Sequence, residues 1–344
     1  MFTTKTFVHE QDLFMKATLD SIFKVGFGTE LNTLSGSNEE GNRFAEAFDD
    51  SSALTFYRYF DVFWKLKKLL NIGSEAVLME KSKMLDHFVY NVIESKKEQI
   101  SSQRDNMPKE DILSRFLVLR QKEPNMSDRY LRDIILSFII AGKDTTAVTL
   151  SWFFYMLCKN PIVKEKIGRE VKEVIDAKEG TTIGEFVERL TEEALNRMHY
   201  LHASITETLR LYPAVAADAK LCCSDDTLPD GFNVGRGDLV VYLPYPMGRM
   251  KFLWGDDAEV FKPERWLNND GLFQPESPFK FTAFQAGPRI CAGKEFAYMQ
   301  MKIFAAVLLS FFTFKLSDEK RAVRYRTMLT LHIDGGLFLQ AFHK

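Results

Sequence analysis

Apolar residues recur at helical spacing through the first two-thirds of the chain. In residues 9–25, Phe14 and Ile22 lie on one face of a helix that glycines then end. The same periodicity predicts further helices in residues 41–60 and 66–93. The pattern therefore indicates a fold that is mainly α-helical.

The centre of the chain holds the most apolar of these predicted helices. It covers residues 131–158 and reads LRDIILSFIIAGKDTTAVTLSWFFYMLC. Asn160 and Pro161 end it and begin another helix that extends to residue 175, because proline disfavours helical geometry at the residue before it. Other predicted features are a polar surface connection or frayed helix end at 94–110, a short helix at 111–119, an N-cap at Ser127, a loop at 180–184 and a helical set from 191 to 211.

The last third of the sequence changes in character. A turn at residues 228–231 is followed by alternating apolar residues at 239–243, which predict a short strand or hairpin. A helix is predicted over residues 294–314, and the tail at 325–342 alternates as strands do. We therefore expect one domain, residues 1–344, that is mainly α with a small β portion.

Composition narrows the classes of function. Of the 344 residues, 46 % are hydrophobic, and 45 basic against 47 acidic residues give a net charge of −2. This balance does not favour nucleic-acid binding. Four cysteines in a chain of this length do not form a secreted disulfide framework, so a reducing compartment or the cytosolic side of a membrane is expected. Cys222 and Cys223 are vicinal, which favours two small residues near a strand over a metal site.

The sequence predicts no membrane-spanning or export segment. A spanning helix needs a run of about 18 or more apolar residues, and no such run is present. The longest strongly apolar run, IFAAVLLSFFTF at residues 303–314, is interpreted as a buried core helix. The N-terminus lacks the basic start and the apolar middle of a signal peptide.

Residues 141–146, AGKDTT, place polar side chains inside the most apolar helix. Such groups are costly to bury unless they find partners. Gly142 removes a side chain, so another object can press against the helix there, and the Thr145 hydroxyl can bond the carbonyl of residue 141. With Asp144 beside it, the loosened turn can hold water and pass protons. The alternative is a solvated hinge between two core helices.

Glu207 and Arg210 share a predicted helix face, and Arg265 lies in a turn flanked by aromatic residues. Residues three apart in a helix can pair, but most such pairs are surface ion pairs. A buried cluster of these three residues would be structural and would hold the turn of Arg265 on the helix.

One cysteine stands in the stretch FQAGPRICAG, residues 284–293, just before a predicted helix. Helix amides at this position favour a thiolate at Cys291. Gly287 and Gly293 let the backbone approach a bulky, flat ligand, and Arg289 can pair with a carboxylate on that ligand. Together these features suggest haem with a cysteine axial ligand. The alternative is a buried, inert cysteine.

These motifs resemble those of the cytochrome P450 family and occur in the family's order. Residues 284–293 resemble its cysteine-ligand loop, and residues 141–146 its oxygen-binding helix. Glu207-x-x-Arg210 and residues 263–265 resemble its structural triad. The resemblance covers essentially the whole chain and is nearest to plant enzymes of the 86 clan, most like the 704 family. That closer likeness rests on residues 208–213, 228–231, 245–250 and 254–258.

The resemblance implies a cofactor and the residues that bind it. Cys291 would ligate the iron of haem b (iron protoporphyrin IX), and Arg289 would bond a haem propionate. Phe284 would pack near the sulfur and tune it. In the other motif, Thr145 and Asp144 would deliver protons to bound oxygen. Gly142, in the same turn, would leave room for that oxygen.

The resemblance also implies an activity and its partners. The chain would be a monomeric haem-thiolate monooxygenase that inserts one oxygen atom from O2 into a C–H bond, plausibly in ω-hydroxylation of long-chain fatty acids. NADPH-cytochrome P450 reductase would supply electrons and dock near Cys291, with Lys280 and Lys294 as candidate contacts. The expected location is the cytosolic face of the endoplasmic reticulum membrane.

Residue 1 is expected to fall just before the fifth lettered helix of the family. The membrane anchor, the proline-rich hinge, the first strands and the helix whose Trp and Arg bind a haem propionate find no match in the sequence. We therefore expect a cytochrome P450 fold lacking its N-terminal part. The alternative function is a catalytically silent fragment with weak or no haem binding.

Overall fold

The computed structural model describes residues 6–102, 111–123, 126–178, 180–320 and 323–344. The chain divides into two compact units, one formed by residues 11–147 and the other by residues 148–344 with the segment up to residue 10. Each unit buries its own set of apolar side chains.

The helices and strands confirm the predicted fold class, which is mainly α with a small β portion. The helices are α1 (Glu10–Phe27), α2 (Glu39–Tyr57), α3 (Trp64–Leu70), α4 (Gly73–Ser102), α5 (Ile112–Arg120), α6 (Asp128–Gly142), α7 (Asp144–Lys159), α8 (Pro161–Ile175), α9 (Ile183–Glu188), α10 (Glu192–Arg197), α11 (His199–Leu211), α12 (Pro244–Met247), α13 (Lys251–Trp254) and α14 (Lys294–Phe311). The strands are β1 (Thr6–His9), β2 (Asp218–Leu221), β3 (Asp226–Thr227), β4 (Asn233–Val234), β5 (Leu239–Tyr242), β6 (Phe312–Leu316), β7 (Tyr325–Thr327), β8 (Leu331–Ile333) and β9 (Phe338–His343).

The unit of residues 11–147 is built from α1 to α6 around a cluster of phenylalanines. The Phe44 ring lies 4.5 Å from the Phe88 ring and 5.4 Å from the Phe23 ring, centroid to centroid. Edge-to-face and tilted contacts of this kind contribute beyond the apolar area that they bury. Ser127 caps α6 as predicted, because its side chain accepts a hydrogen bond from the Tyr130 amide.

The unit of residues 148–344 packs α8, α11 and α14 together and carries the strands. Its largest sheet is antiparallel in the order β1-β9-β6, with Ala341 paired to Thr6 on one side and to Phe314 on the other. A second pair, β2 with β5, opposes Asp218 to Tyr242. The predicted strand at residues 239–243 is therefore confirmed as β5.

Two errors in the sequence prediction concern the main sheet. The helix expected over residues 294–314 ends at Phe311, and Phe312 already has extended geometry (φ −130°, ψ 150°). An unbroken apolar run is compatible with the period of a helix and with that of a strand. Its last residues form a strand because they pair with β9. Strand β1 was not predicted, because four residues give too little periodicity.

Further corrections concern the ends of helices. The helix predicted over residues 131–158 is interrupted at Lys143 and forms α6 and α7. The polar run at 94–110 is helical up to Ser102, and its remainder, 103–110, lies outside the described residues. The loop predicted at 180–184 ends early, because Thr182 and Glu185 form a capping box that starts α9.

Residues 128–159, covered by α6 and α7, are long and apolar enough to cross a membrane by length and composition alone. The expectation that no such stretch exists is wrong by this criterion. That expectation considered only unbroken apolar runs, and the stretch 128–159 is interrupted by Lys143 and Asp144. Half of its most apolar window is buried inside the protein, which is also typical of a core helix.

A buried carboxylate at Glu207 holds a long connection onto α11. Both of its oxygens accept hydrogen bonds from the Arg210 guanidinium, at 2.7 and 2.8 Å. It also accepts the Lys262 amide at 2.9 Å, the Trp266 indole at 2.9 Å and, more weakly, Arg265 Nε at 3.5 Å. The side chains of Glu207 and Arg210 are 0 % exposed, so the predicted buried cluster is present.

Arg210 extends this cluster to the main chain of the connection. Its guanidinium donates to the carbonyls of Gly248, Ala258 and Val260. Gly248 is held so closely that a Cβ built on it would lie 2.0 Å from the carbonyl oxygen of Arg210. The cluster therefore fixes the backbone between residues 248 and 266 against α11.

We expect Gly248→Ala to destabilise the protein by about 3 kcal/mol or more, because the new methyl group overlaps a backbone atom that cannot move alone. Gly168→Ala is the matched control, since Gly168 lies within α8 and a Cβ there meets no described atom within 4 Å. That change should stabilise by about 0.5–1 kcal/mol through helix propensity. The free energy of unfolding in denaturant measures both, and equal effects would contradict the close approach at Gly248.

We expect Glu207→Gln to cost about 3–5 kcal/mol, because it leaves the buried Arg210 charge without a counter-ion. Glu165→Gln is the control, because Glu165 pairs with Arg169 at 3.1 Å on a surface where both side chains are mostly exposed. That control should change the free energy of unfolding by less than about 0.5 kcal/mol. A small effect of Glu207→Gln would show that the cluster is not needed for stability.

Candidate functional site

The loop of residues 284–293 is closed by its own main chain. The Cys291 amide donates to the Phe284 carbonyl over 2.8 Å, and the short helical turn Gly287–Arg289 lies between them. Gln285 and Gly287 both have positive φ, at 61° and 67°. Glycine adopts this conformation freely, whereas a residue with a Cβ does so at a cost. The loop therefore needs support from outside itself.

Part of that support comes from strand β2. Gln285 Nε2 donates to Asp218 Oδ2 over 2.7 Å, and Lys220 Nζ donates to Gln285 Oε1 over 3.2 Å. Asp218 also accepts the Tyr242 hydroxyl at 2.6 Å, which ties the contact to β5. Gln285 could not be identified from the sequence, because its role follows from its backbone conformation.

Cys291 lies on the exposed side of this loop as a free thiol. The alternative of a buried, inert cysteine is therefore wrong. Helix α14 begins three residues later, at Lys294, and Gly293 before it makes no side-chain cap. A Cβ at Gly293 would stand 3.9 Å from the Cys291 sulfur, so glycine keeps the space beside the sulfur open. Uncapped amides at a helix N-terminus favour an anion such as a thiolate.

The neighbouring side chains suit a flat, partly apolar ligand with carboxylates. The Arg289 side chain makes no hydrogen bond or ion pair with any residue that the structure describes, and this residue is exposed. Ile290 is also exposed, at 47 %, next to the cysteine. An exposed thiol, an apolar surface and an unpaired guanidinium match the iron, the ring and the propionates of haem. The residues present therefore fit this cofactor.

Phe284 packs inward from the same loop. Its ring lies 5.2 Å from that of Tyr298, on α14, and 6.4 Å from that of Phe281. Tyr298 stacks in turn on His202 of α11, at 4.1 Å. Neither Tyr298 nor His202 was predicted from the sequence, because each has the spacing of an ordinary core position on its helix.

The turn at residues 141–146 forms part of the other unit. The Thr145 hydroxyl donates to the Ala141 carbonyl over 2.6 Å, which confirms the predicted bond. The helix is interrupted beside it, at Lys143, whose carbonyl oxygen lies 3.0 Å from the Thr18 hydroxyl. A Cβ at Gly142 would lie 3.2 Å from Ile22, so the object that approaches this glycine is a side chain of α1. The role of Gly142 in leaving room for oxygen stays a prediction.

Lys143 is a buried cation at the centre of this turn. Its side chain is 1 % exposed and pairs with Asp49, while its Nζ lies 3.3 Å from Asp144 Oδ1. Burial opposes the charged form, but the carboxylates of Asp144 and Asp49 outweigh it and hold the pKa of Lys143 above its ordinary value. Asp144 therefore faces a permanent positive charge, which the sequence analysis did not anticipate.

The structure groups the predicted site residues in two sets. Cys291, Arg289 and Phe284 lie in one loop of one unit, and Gly142, Asp144 and Thr145 lie in one turn of the other. Their assigned roles stay predictions. Of the two lysines expected to contact a reductase, Lys280 bonds Glu276 at 2.7 Å and lies over the Trp254 ring. Lys294 is half-buried at the start of α14.

Comparison with known proteins agrees with the motifs. The family model "Cytochrome P450" matches residues 4–339, and so includes parts of both units. "Cytochrome P450 704C1" of Pinus taeda is 53 % identical over 97 % of this chain and 66 % of its own length. "Cytochrome P450 704B1" of Arabidopsis thaliana is 46 % identical over 96 % of this chain and 68 % of its own. "Cytochrome P450 86B1" of Arabidopsis thaliana is 38 % identical over 97 % of this chain and 60 % of its own.

The chain thus spans about two thirds of the length of the curated relatives that it matches. Proteins of this family bind haem and are monooxygenases. A family match over nearly all residues, with 53 % identity to one relative, shows that this chain belongs to the cytochrome P450 family.

Proposed function

We propose that this chain is a haem-thiolate monooxygenase in which Cys291 is the axial ligand. The observation that carries the proposal is the exposed thiol in a closed loop, beside a guanidinium without a partner among the described residues. Haem supplies the redox chemistry of O2 activation when bound, and a thiolate ligand favours cleavage of the O–O bond. Arg289 would pair with a propionate and orient the ring.

The turn at residues 141–146 is proposed to handle protons. The Thr145 hydroxyl and the Asp144 carboxylate lie on a helix that is interrupted beside them, where water can enter the hydrogen-bond pattern. The Asp144 carboxylate lies 3.3 Å from the buried ammonium group of Lys143, so an acid and the Thr145 hydroxyl stand in the same turn. Electrons would come from an NADPH-dependent reductase.

The substrate proposed is an apolar molecule, and ω-hydroxylation of a long-chain fatty acid is the specific reaction. This choice of substrate rests on the likeness of residues 208–213 and 245–250 to plant enzymes of the 86 clan. It also rests on the similarity of the chain to cytochromes P450 704C1 and 704B1. The class of reaction and the fatty-acid substrate are separate claims, so they need separate experiments.

A location at a membrane surface is supported by an exposed apolar segment, residues 57–72. Tyr59 is 82 % exposed, Val62 88 % and Leu69 81 %, and six further apolar residues of this segment are more than half exposed: Tyr57, Phe60, Phe63, Leu66, Leu70 and Ile72. Helix α3, within it, contains no buried residue. Patches of this kind mark interaction sites.

The charged residues of this segment indicate which kind of surface it would bind. Lys65 and Lys68 are exposed in α3 between its leucines, so apolar and cationic side chains share one short stretch. The Arg58–Glu75 ion pair, at 2.7 Å, fixes the start of the segment to α4. An apolar surface interleaved with lysines fits an anionic lipid surface such as the cytosolic face of the endoplasmic reticulum.

The proposed activity predicts a thiolate-type Soret band in the reduced, CO-bound protein after reconstitution with haem. Cys291→Ala should abolish that band completely, because Cys291 is the residue proposed to supply the thiolate. Cys223→Ala is the control, since Cys223 is also exposed, and it should leave the band unchanged. A wild-type protein without the band, or a band that survives in Cys291→Ala, would refute the proposal. A catalytically silent chain would give the first of these results.

The proposed membrane contact predicts binding to vesicles of phosphatidylcholine and phosphatidylserine. The double variant Val62→Asp with Leu69→Asp should bind at least roughly tenfold more weakly, since each removes about 1.5–3 kcal/mol of apolar burial. Phe252→Asp removes an equally exposed aromatic residue outside the segment and should bind normally. Binding should also weaken as salt rises. Equal binding by both variants, measured by vesicle sedimentation, would exclude this surface.

A further inference from the structure

We propose that Tyr298 is a positioning residue for the thiolate, acting through Phe284 on the loop of Cys291. The inference rests on the proposed haem-thiolate function and adds residues that no motif contains. It follows from a column of rings, formed by His202, Tyr298 and Phe284 with the buried Tyr298 at its centre, which runs from α11 through α14 to the loop.

The middle of the column is rigidly held. Tyr298 is 3 % exposed and lies in the second turn of α14, which begins at Lys294. Its ring is nearly parallel to that of His202, with an interplanar angle of 18° and centroids 4.1 Å apart. His202 packs in turn on Phe273 at 4.0 Å. Stacked rings of this kind resist rotation, because a turn of either ring would lose contact with the other.

A hydrogen bond fixes the remaining freedom of the Tyr298 ring. The Thr206 hydroxyl donates to the His202 carbonyl at 2.8 Å, and it lies 2.9 Å from the Tyr298 hydroxyl. A threonine hydroxyl has one proton, so Tyr298 must be the donor in the second bond. Burial raises the pKa of Tyr298, which keeps this proton in place. Burial together with the Lys302 and Lys294 charges lowers the pKa of His202 to about 3, so its ring stays neutral.

The column reaches the cysteine through a single residue. Phe284 contacts Tyr298 with its ring at 5.2 Å and accepts the Cys291 amide with its carbonyl at 2.8 Å. The next residue, Gln285, has a left-handed backbone that costs about 1–2 kcal/mol. A loop under this strain relaxes unless both sides of the bend are anchored. Asp218 anchors Gln285, and Tyr298 anchors Phe284.

The consequence concerns the sulfur itself. If Phe284 moves, its carbonyl no longer fixes the Cys291 amide, and the position of the sulfur relative to α14 becomes variable. A sulfur that is poorly positioned is lost more readily as a ligand. Tyr298 is therefore expected to preserve the thiolate ligand and to set the reduction potential, without touching substrate.

The test compares Tyr298→Leu with Phe186→Leu in full-length, haem-loaded protein. Phe186 is as deeply buried, and it packs edge-on against Phe311, at the other end of α14. Phe311 lies 13 residues, or about 20 Å, from Tyr298 along the helix. Both variants lose a buried ring against one helix, so they control for loss of stability. The readouts are the decay of the CO-bound thiolate Soret band and the haem reduction potential.

We expect Tyr298→Leu to accelerate decay of the thiolate band roughly tenfold and to shift the reduction potential. A tenfold change corresponds to about 1.4 kcal/mol, which is within the contribution of one aromatic contact. Phe186→Leu should change neither readout. Tyr298→Phe, which keeps the ring, should restore most of the wild-type behaviour. Amide hydrogen exchange at Cys291 should quicken in Tyr298→Leu alone, because its bond to Phe284 loosens.

The proposal is overturned if Tyr298→Leu and Phe186→Leu give the same decay and the same potential. If Tyr298→Leu does not fold, His202→Ala removes the other face of the stack. His202→Ala should then shift the reduction potential in the same direction by a smaller amount. The absence of any shift would overturn the proposal. A wild-type protein that lacks the thiolate band refutes the haem-thiolate function instead, so the two failures are distinguishable.

Discussion

The unit that contains the cysteine loop depends on one buried carboxylate. Glu207 is inaccessible to solvent, and its oxygens are satisfied by two arginines, an indole and a backbone amide. A buried carboxylate is stable only when all of its hydrogen-bond partners are in place. The partners of Glu207 can therefore all be present in only one arrangement of the chain. That arrangement fixes Trp266, which packs on Phe281 and so reaches the residues just before the loop. Fold and site are thus joined through this interaction.

Much of this could be read from the sequence where one local rule was sufficient. The N-cap at Ser127, the start of α8 after Asn160 and the Thr145 hydroxyl bond each depend on residues within four positions. The cysteine before a helix was predicted for the same reason. Helix periodicity also gave the fold class, since long apolar faces repeat several times.

The remainder was set by contacts between distant residues. Phe312 ends a helix because β9 is available to pair, and Lys143 interrupts another where Asp49 offers a carboxylate. Neither partner can be assigned from sequence separation. Tyr298 was missed because a tyrosine at a core position is unremarkable until its neighbours are known. Functional residues that act through packing leave no motif, whereas residues that bind a cofactor directly do.

The anchors of the cysteine loop carry a consequence for the order of folding. Gln285 is held by Asp218, 67 positions earlier, and the Tyr298 hydroxyl bonds Thr206, 92 positions earlier. Contacts of such high separation form after local helices, because a long loop must close first. The cysteine loop is therefore expected to take its shape late, when α11, α14 and β2 have already assembled. Cofactor capture would then follow assembly of this unit and would not guide its early steps.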